Sequence, residues 1–304
     1  MPYDIELAAA LRERVIGRTR EVEAVVASLA TRRHLLLEGP PGTGKSTLLR
    51  AVAELSETPF EFVEGNAELT PARLVGTFDP AAVLESGYSP DVFIDGPLVA
   101  ALRAGALLYV EEINRVPEET LNVLISLMSE GELHVPRLGR VVAVEGFRLV
   151  AAMNPFDAVG TARISSAVYD RCCRLSMGYQ TTSEEALIVG RDATAAAAAL
   201  GPGAILTIVE LVRATREHPD IRAGSSVRGA IDLALLVAEL ASLRSTEPLD
   251  PGVTHDAAQL SLSGRIRVRD GSGRSAEDVV EELWRRFFDI TPEAHDSEVS
   301  DPKV

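Results

Sequence analysis

Gly39-Pro40-Pro41-Gly42-Thr43-Gly44-Lys45-Ser46-Thr47 is the stretch on which the reading of this chain turns. It matches the pattern G-x-x-x-x-G-K-[ST]. Before it runs His34-Leu35-Leu36-Leu37-Glu38, short and apolar, which reads as a buried strand. After it, Leu48, Leu49, Val52 and Leu55 recur at helical spacing over Ser46 to Leu55. Strand, glycine-rich loop and helix form a cradle for phosphate. Glycines let the backbone curl so that consecutive N–H groups point at phosphate oxygens, and the helix N-terminus adds its dipole. Lys45 would reach the β- and γ-phosphates, and the Ser46 hydroxyl would hold Mg²⁺.

The chain has 304 residues, 46% hydrophobic and 25% charged, which fits a soluble globular protein of one large or two ordinary domains. Its net charge is −15, from 45 acids against 30 bases. Such a surface repels nucleic acid and anionic membranes unless a local basic patch intervenes. The two cysteines are neighbours, Cys172 and Cys173, and no signal peptide is read, so a reducing cytoplasm is the expected compartment. Arg103 interrupts the best apolar run before it reaches the ~18 residues of a membrane span. The five histidines show no ligand spacing.

Arg18 to Ala30 reads as a helix with Val22, Val25, Val26 and Leu29 on one face, and residues 1–17 as a lead-in. Ile16-Gly17 before that helix could cover an adenine ring; an ordinary helix start gives the same letters. Phe60-Glu61-Phe62-Val63 alternates as a strand. Residues 65–96 hold three prolines and four glycines and no long periodic segment, which in a compact domain marks a functional or mobile stretch. Leu107-Leu108-Tyr109-Val110 is a short apolar strand ending in Glu111-Glu112. One acid there can hold magnesium through its water shell, and the next can orient and polarise an attacking water. A helix runs to about Glu130, a hairpin centred on Leu138-Gly139 follows, and Phe147–Met153 is a buried strand. That strand ends at Asn154-Pro155, either a γ-phosphate contact or a plain turn. A short helix over Ile164–Tyr169 closes at Asp170-Arg171, and Cys172–Ser176 is the domain's last strand.

From Thr181 the pattern turns helical, with no strand of any length. Ser183 with Glu185 nearby starts a helix that the alanine-rich run Ala193–Leu200 continues and Gly201-Pro202-Gly203 breaks. Ile205–Arg216, Ser226–Leu243, His255–Leu262 and Ser275–Phe288 are further helices, with Trp284, Phe287 and Phe288 as aromatic core. Arg265, Arg267, Arg269 and Arg274 are the one basic cluster, read as a solvated face, with nucleic-acid contact as the alternative. The expected divisions are 1–179, an α/β nucleotide-binding domain; 180–291, a helical domain; and 292–304, an acidic tail expected to be disordered.

Taken together, Gly39–Thr47, Gly96-Pro97-Leu98, Glu112-Ile113-Asn114-Arg115, Ala151-Ala152-Met153-Asn154-Pro155, Asp170-Arg171 and Gly224-Ser225-Ser226-Val227-Arg228 resemble an AAA+ ATPase of the MoxR family. The resemblance implies a P-loop three-layer αβα core with a C-terminal helical lid. It implies ATP and Mg²⁺ as ligands. Gly39, Pro41, Gly42, Thr43, Gly44, Lys45, Ser46 and Thr47 would line the phosphates, with Ile16 and Gly17 at the base. Glu111 and Glu112 would be the Walker B pair, Glu112 catalytic and Glu111 holding Mg²⁺ with Ser46. Asn154 would be sensor 1, Arg171 the arginine finger offered to a neighbouring subunit, and Arg228 sensor 2. Stretch 65–96 would include the clade's helix-2 insert, and residues 131–147 the pre-sensor-1 hairpin. The family forms homo-oligomeric rings, typically hexamers, that often act with a von Willebrand factor A protein on a client complex. Two departures stand out. Glu111 replaces the usual aspartate, and Ile164–Tyr169 with Cys172 replaces the family's usual residues around Asp-Arg. A nucleotide-gated scaffold with negligible hydrolysis and a nucleic-acid remodeller are the competing readings.

Overall fold

The computed structural model describes residues 3–155 and 164–288. The chain divides into two compact units between Gln180 and Thr181. Each is described by itself.

The first unit is organised by a five-stranded parallel sheet in the order β2-β5-β8-β1-β9. Its strands are β1 (His34–Glu38), β2 (Phe60–Glu64), β5 (Leu107–Glu111), β8 (Arg148–Met153) and β9 (Cys172–Ser176). The continuous apolar runs at β1, β5 and β8 have a direct cause. Both faces of a parallel sheet are covered, so both sets of alternating side chains must be apolar. Leu35, Leu37, Tyr109, Val150 and Ala152 enter one core, with helices α1 (Ile5–Arg14), α2 (Thr19–Ala30) and α3 (Lys45–Leu55). Leu36, Leu108, Val110, Leu149 and Ala151 enter the other, with α4 (Pro71–Val75), α6 (Pro97–Ala104) and α7 (Glu118–Glu130). The result is three layers, αβα.

Residues 3–17 are more than a lead-in. Asp4 caps α1 through Glu6 N and Leu7 N, and Leu7 and Leu11 are buried one helical turn apart. The irregular stretch also has order. β3 (Gly76–Phe78) pairs antiparallel with β4 (Phe93–Asp95), and α5 (Pro80–Ser86) lies between them. The hairpin is β6 (Glu132–Val135) with β7 (Gly139–Val142). Its turn is Pro136-Arg137-Leu138, slightly earlier than the pattern indicates, because Arg137 takes the left-handed conformation at φ 66°. Arg137 lies over the Tyr88 ring at 3.8 Å, which joins the hairpin to the 65–96 stretch. Helix α8 (Ser166–Arg171) leads into edge strand β9, where Cys173 is exposed. Burial, helped by neighbouring Cys173, pushes the Cys172 thiol up to about 12, so it stays protonated and serves as packing.

The second unit holds α9 (Thr182–Asp192), α10 (Thr194–Glu217), α11 (Val227–Arg244), α12 (Pro251–Leu262) and α13 (Ala276–Phe288). Four sequence expectations change here. Thr181 with Glu184 forms the capping box of α9, whereas Glu185 is fully buried and bonded to Arg216 at 2.7 Å. The alanine run belongs to α10, since Ala193 ends α9; as the sequence indicates, Gly201 breaks the helix, its non-helical φ 80° and ψ 162° separating two helical segments of α10. A short antiparallel pair exists, β10 (Ile221–Ala223) with β11 (Arg267–Val268). Trp284 is buried and donates its indole N–H to Thr254 at 3.1 Å, while Phe287 and Phe288 are only half-buried. One stretch among the described residues, Thr194–Glu217, is long and apolar enough by length and composition to cross a membrane, but the break at Gly201 divides it into two shorter helical segments. Its Ile205, Ile208, Val209, Leu211 and Val212 are buried, and it packs against α9 and α11. The expected tail, 292–304, lies outside the described residues.

Candidate active site

The site gathers at the carboxyl ends of β1, β5 and β8, where a parallel sheet opens its crevice. The loop after β1 curls through Gly42 (φ 73°) and Gly44 (φ 84°), left-handed positions that a side chain would strain. Pro41 and Thr47 are exposed, and Thr43 and Lys45 are buried. The Thr43 hydroxyl donates to Pro40 O at 3.0 Å and shapes the turn. The Lys45 ammonium donates to Gly39 O at 2.8 Å and Pro40 O at 2.9 Å, which holds it inside the loop's curve. Helix α3 begins at Lys45, so its unpaired N–H groups open onto the same concavity.

The register of the sheet brings the other groups alongside. Glu38 pairs with Met153, and Gly39 N donates to Met153 O at 3.1 Å, so Asn154 follows directly beside the loop's first glycine. The Ser46 hydroxyl donates to Glu111 Oε1 at 2.8 Å and meets the Tyr109 hydroxyl at 3.2 Å. A hydroxyl and a carboxylate this close form a hard-oxygen pair that suits Mg²⁺ sharing its remaining positions with water and phosphate. The Glu111 side chain therefore reaches Ser46.

Glu112 leaves the strand in the left-handed conformation, φ 52° and ψ 43°, sparsely populated for a residue with a Cβ. Strain of this kind persists where the surroundings impose it and is common at functional sites. The imposing contact is Gly65, whose N–H donates to Glu111 O at 2.7 Å. A Cβ on Gly65 would lie 2.4 Å from Glu112 O and 2.9 Å from Glu111 O. Gly65→Ala is therefore expected to displace both acids. Misplacement on the order of 1 Å can reduce turnover by about 10²-fold, and the overpacking costs about 1–3 kcal/mol. Phosphate-release rates and thermal melting of the variant check this; unchanged values in both would show that the turn is not held by Gly65. The Glu112 carboxylate pairs with Arg115 at 3.0 Å, both side chains partly exposed.

Ile16 and Gly17 form the turn between α1 and α2, with Gly17 at φ 68°. The next residue, which sequence reasoning passed over, ties that turn to the loop. Arg18 is 3% exposed, and its guanidinium donates to Thr43 O and Gly178 O, each at 2.7 Å, and pairs with Glu21 at 2.9 Å. Its contacts span 25 and 160 residues, so no local pattern announces them. Tyr109 was equally unmarked, although its place two residues before Glu111 puts it on the same face of β5.

The remaining two arginines lie elsewhere. Arg171 ends α8, and its Nε donates to Ser129 Oγ at 2.5 Å while Nη1 donates to Ala167 O at 3.0 Å. Those contacts link it to the end of α7, not to its own chain's loop. Arg228 stands exposed in the first turn of α11 in the second unit. The turn before it is pinned: Ser225 N donates to Thr215 Oγ1 at 2.9 Å, and Arg216 donates to Ser225 O at 2.7 Å.

Residues 34–172 match the family described as AAA domain (dynein-related subfamily). An uncharacterized protein of Staphylococcus aureus (strain USA300) is 34% identical over 149 residues, 48% of this chain and 56% of that protein. Counterparts from other strains match equally. The chain thus spans about half the length of the curated relatives it matches. Among solved structures, a candidate ATPase of Cytophaga hutchinsonii superposes with TM-score 0.51 at 21% identity, over 92% of each chain. The Thermotoga maritima RuvB Holliday junction branch migration motor superposes with TM-score 0.56 at 19% identity, over 84% of this chain and 72% of that one. The three-layer core with its C-terminal helical region is the AAA+ fold.

Proposed function

We propose that this chain, AAA+ in fold, is a MoxR-type ATPase that hydrolyses ATP at the subunit interfaces of a homo-oligomeric ring, typically a hexamer, to remodel or activate a partner complex. The observation that carries the reading is the Ser46 hydroxyl bonded to Glu111 at 2.8 Å at the mouth of a loop that encloses Lys45. Lys45 binds the β- and γ-phosphates, and the loop's N–H groups orient them. Ser46, with Glu111 acting through water, would hold Mg²⁺, which when bound neutralises phosphate charge. Glu112 accepts the proton of the attacking water, and Asn154 orients that water or the γ-phosphate. Arg171 completes the site of the adjacent subunit. Arg228 contacts nucleotide from its own chain. Ile16 and Gly17 form the base-side turn that Arg18 fastens to the loop.

Multiple-turnover phosphate release by the purified protein with Mg²⁺ and ATP tests the reading. Release that continues beyond one equivalent per chain, and that rises in specific rate with protein concentration as rings assemble, is expected. One equivalent or less would favour the second reading, a nucleotide-gated scaffold. The observation behind that alternative is the Glu112–Arg115 pair, which occupies the carboxylate that hydrolysis needs. The nucleic-acid reading loses much of its basis, since Arg265 pairs with Asp232 and Arg274 pairs with Asp220 and Glu282. The partner is proposed to be a von Willebrand factor A protein with an attached client. Capture on the Glu112→Gln ring in ATP would support it, and capture equal with and without ATP would count against it.

A further inference from the structure

Tyr109 is buried in the core that packs β5 against α3. Its ring is fenced by Phe62 at 5.7 Å and Phe60 at 6.3 Å between centroids. The Arg50 guanidinium lies over both of those rings, at 5.3 and 5.4 Å. The ring is therefore held in one orientation. Its polar atom reaches Ser46 Oγ at 3.2 Å, and Ser46 in turn donates to Glu111. A tyrosine hydroxyl is neutral at physiological pH and able to donate.

We propose that Tyr109 is a positioning residue of the metal–nucleotide site, whose phenol fixes the Ser46 hydroxyl, and through it the Glu111 carboxylate, in the arrangement that receives Mg²⁺ with the nucleoside triphosphate. The inference rests on the ATPase reading above. A serine hydroxyl has one hydrogen and two lone pairs. The hydrogen is used on Glu111, and the phenol donates to one lone pair. The other lone pair is left for a cation, so the direction in which Ser46 offers itself is set before any ligand arrives. Glu111, which has one more rotatable bond than aspartate, is held in turn by the Ser46 hydroxyl that donates to it. Tyr109 supplies no metal ligand and moves no proton. It acts through Ser46 and Glu111, as outer-shell groups do when they orient metal ligands.

Tyr109→Phe keeps the ring and removes the hydroxyl. Binding of a fluorescent ATP analogue, in EDTA and across a Mg²⁺ titration, reads the effect without turnover. The Mg²⁺ concentration for half-saturation is expected to rise about tenfold, the lower end for loss of an outer-shell partner. Affinity for the metal-free nucleotide and the melting temperature are expected to match the unaltered protein. An unchanged Mg²⁺ requirement would overturn the proposal. So would a parallel loss of metal-free binding, which would mean that the loop itself had distorted. If the unaltered protein bound the analogue with no effect of Mg²⁺, the ATPase reading would fail and this inference with it. A Mg²⁺ effect in the unaltered protein with none lost in the variant would sink the role of Tyr109 alone.

Discussion

Replacing Glu112 by glutamine is expected to lower ATP turnover by about 10²–10⁴-fold, the usual contribution of a positioned general base, while ATP still binds. The amide keeps the size of the carboxylate and one of its acceptor oxygens but cannot accept the proton of water. The local structure should survive the change. Glu112 owes its left-handed backbone to the Gly65 contact and the turn, which the substitution leaves alone. Its ion pair with Arg115 joins two partly exposed side chains, and such pairs contribute at most about 1 kcal/mol. Thermal melting, ATP binding and phosphate release measured on one preparation separate the effects. Retained binding with lost turnover is the expected pattern. Turnover equal to that of the unaltered protein would remove the catalytic role from Glu112 and leave Glu111 as the only acid in the site with an assigned task.

Arg171→Ala is expected to reduce turnover by about 10³–10⁵-fold, the range for an arginine finger, without disturbing nucleotide binding by the altered chain. Arg171 closes α8, and its guanidinium is steered by Ser129 and Ala167 rather than by its own loop. The helix that carries it is nonetheless tied to that loop's strand, because the Tyr169 hydroxyl donates to Glu38 Oε1 at 3.0 Å, one residue before Gly39. Glu38 is 2% exposed and also bonded to Arg174, so this anchor is firm. An arginine presented away from one site by a helix fastened to that site can serve the next subunit. Sedimentation or light scattering would show whether the variant still assembles. Assembly with normal turnover would remove the role from Arg171.

The parts of the fold legible in the sequence were those whose cause is local. The β1–loop–α3 unit announced itself because a doubly covered strand must be apolar throughout and a phosphate cradle needs its glycines at set places. Strand β5 with Glu111-Glu112 and strand β8 with Asn154 followed from the same logic. Elements with weaker local patterns were missed or blurred. Helix α1 is short and half exposed, and the β3–β4 pair is made of three-residue strands separated by a helix. The start of α9 was misplaced because Ser183 and Thr181 both read as caps, and only the fold shows that Glu185 is consumed by Arg216. Within the site, what stayed hidden were groups that act on carbonyls or hydroxyls far away in the chain. Arg18, Gly65 and Tyr109 belong to ordinary-looking helix, loop and strand positions. Their meaning appears only when the sheet register sets Thr43, Glu112 and Ser46 beside them.

The central claim is that each site is completed by a neighbour. Mixing Glu112→Gln chains with Arg171→Ala chains tests it most directly. Each variant alone lacks one half of every site. In a mixed ring, an Arg171→Ala chain keeps its Glu112 and can receive Arg171 from a Glu112→Gln neighbour, which restores a complete site. Phosphate release is predicted to recover in the mixture to a measurable fraction of the unaltered rate, greatest near equal proportions. A mixture no more active than the sum of its two components, under conditions where the chains are shown to co-assemble, would contradict the account.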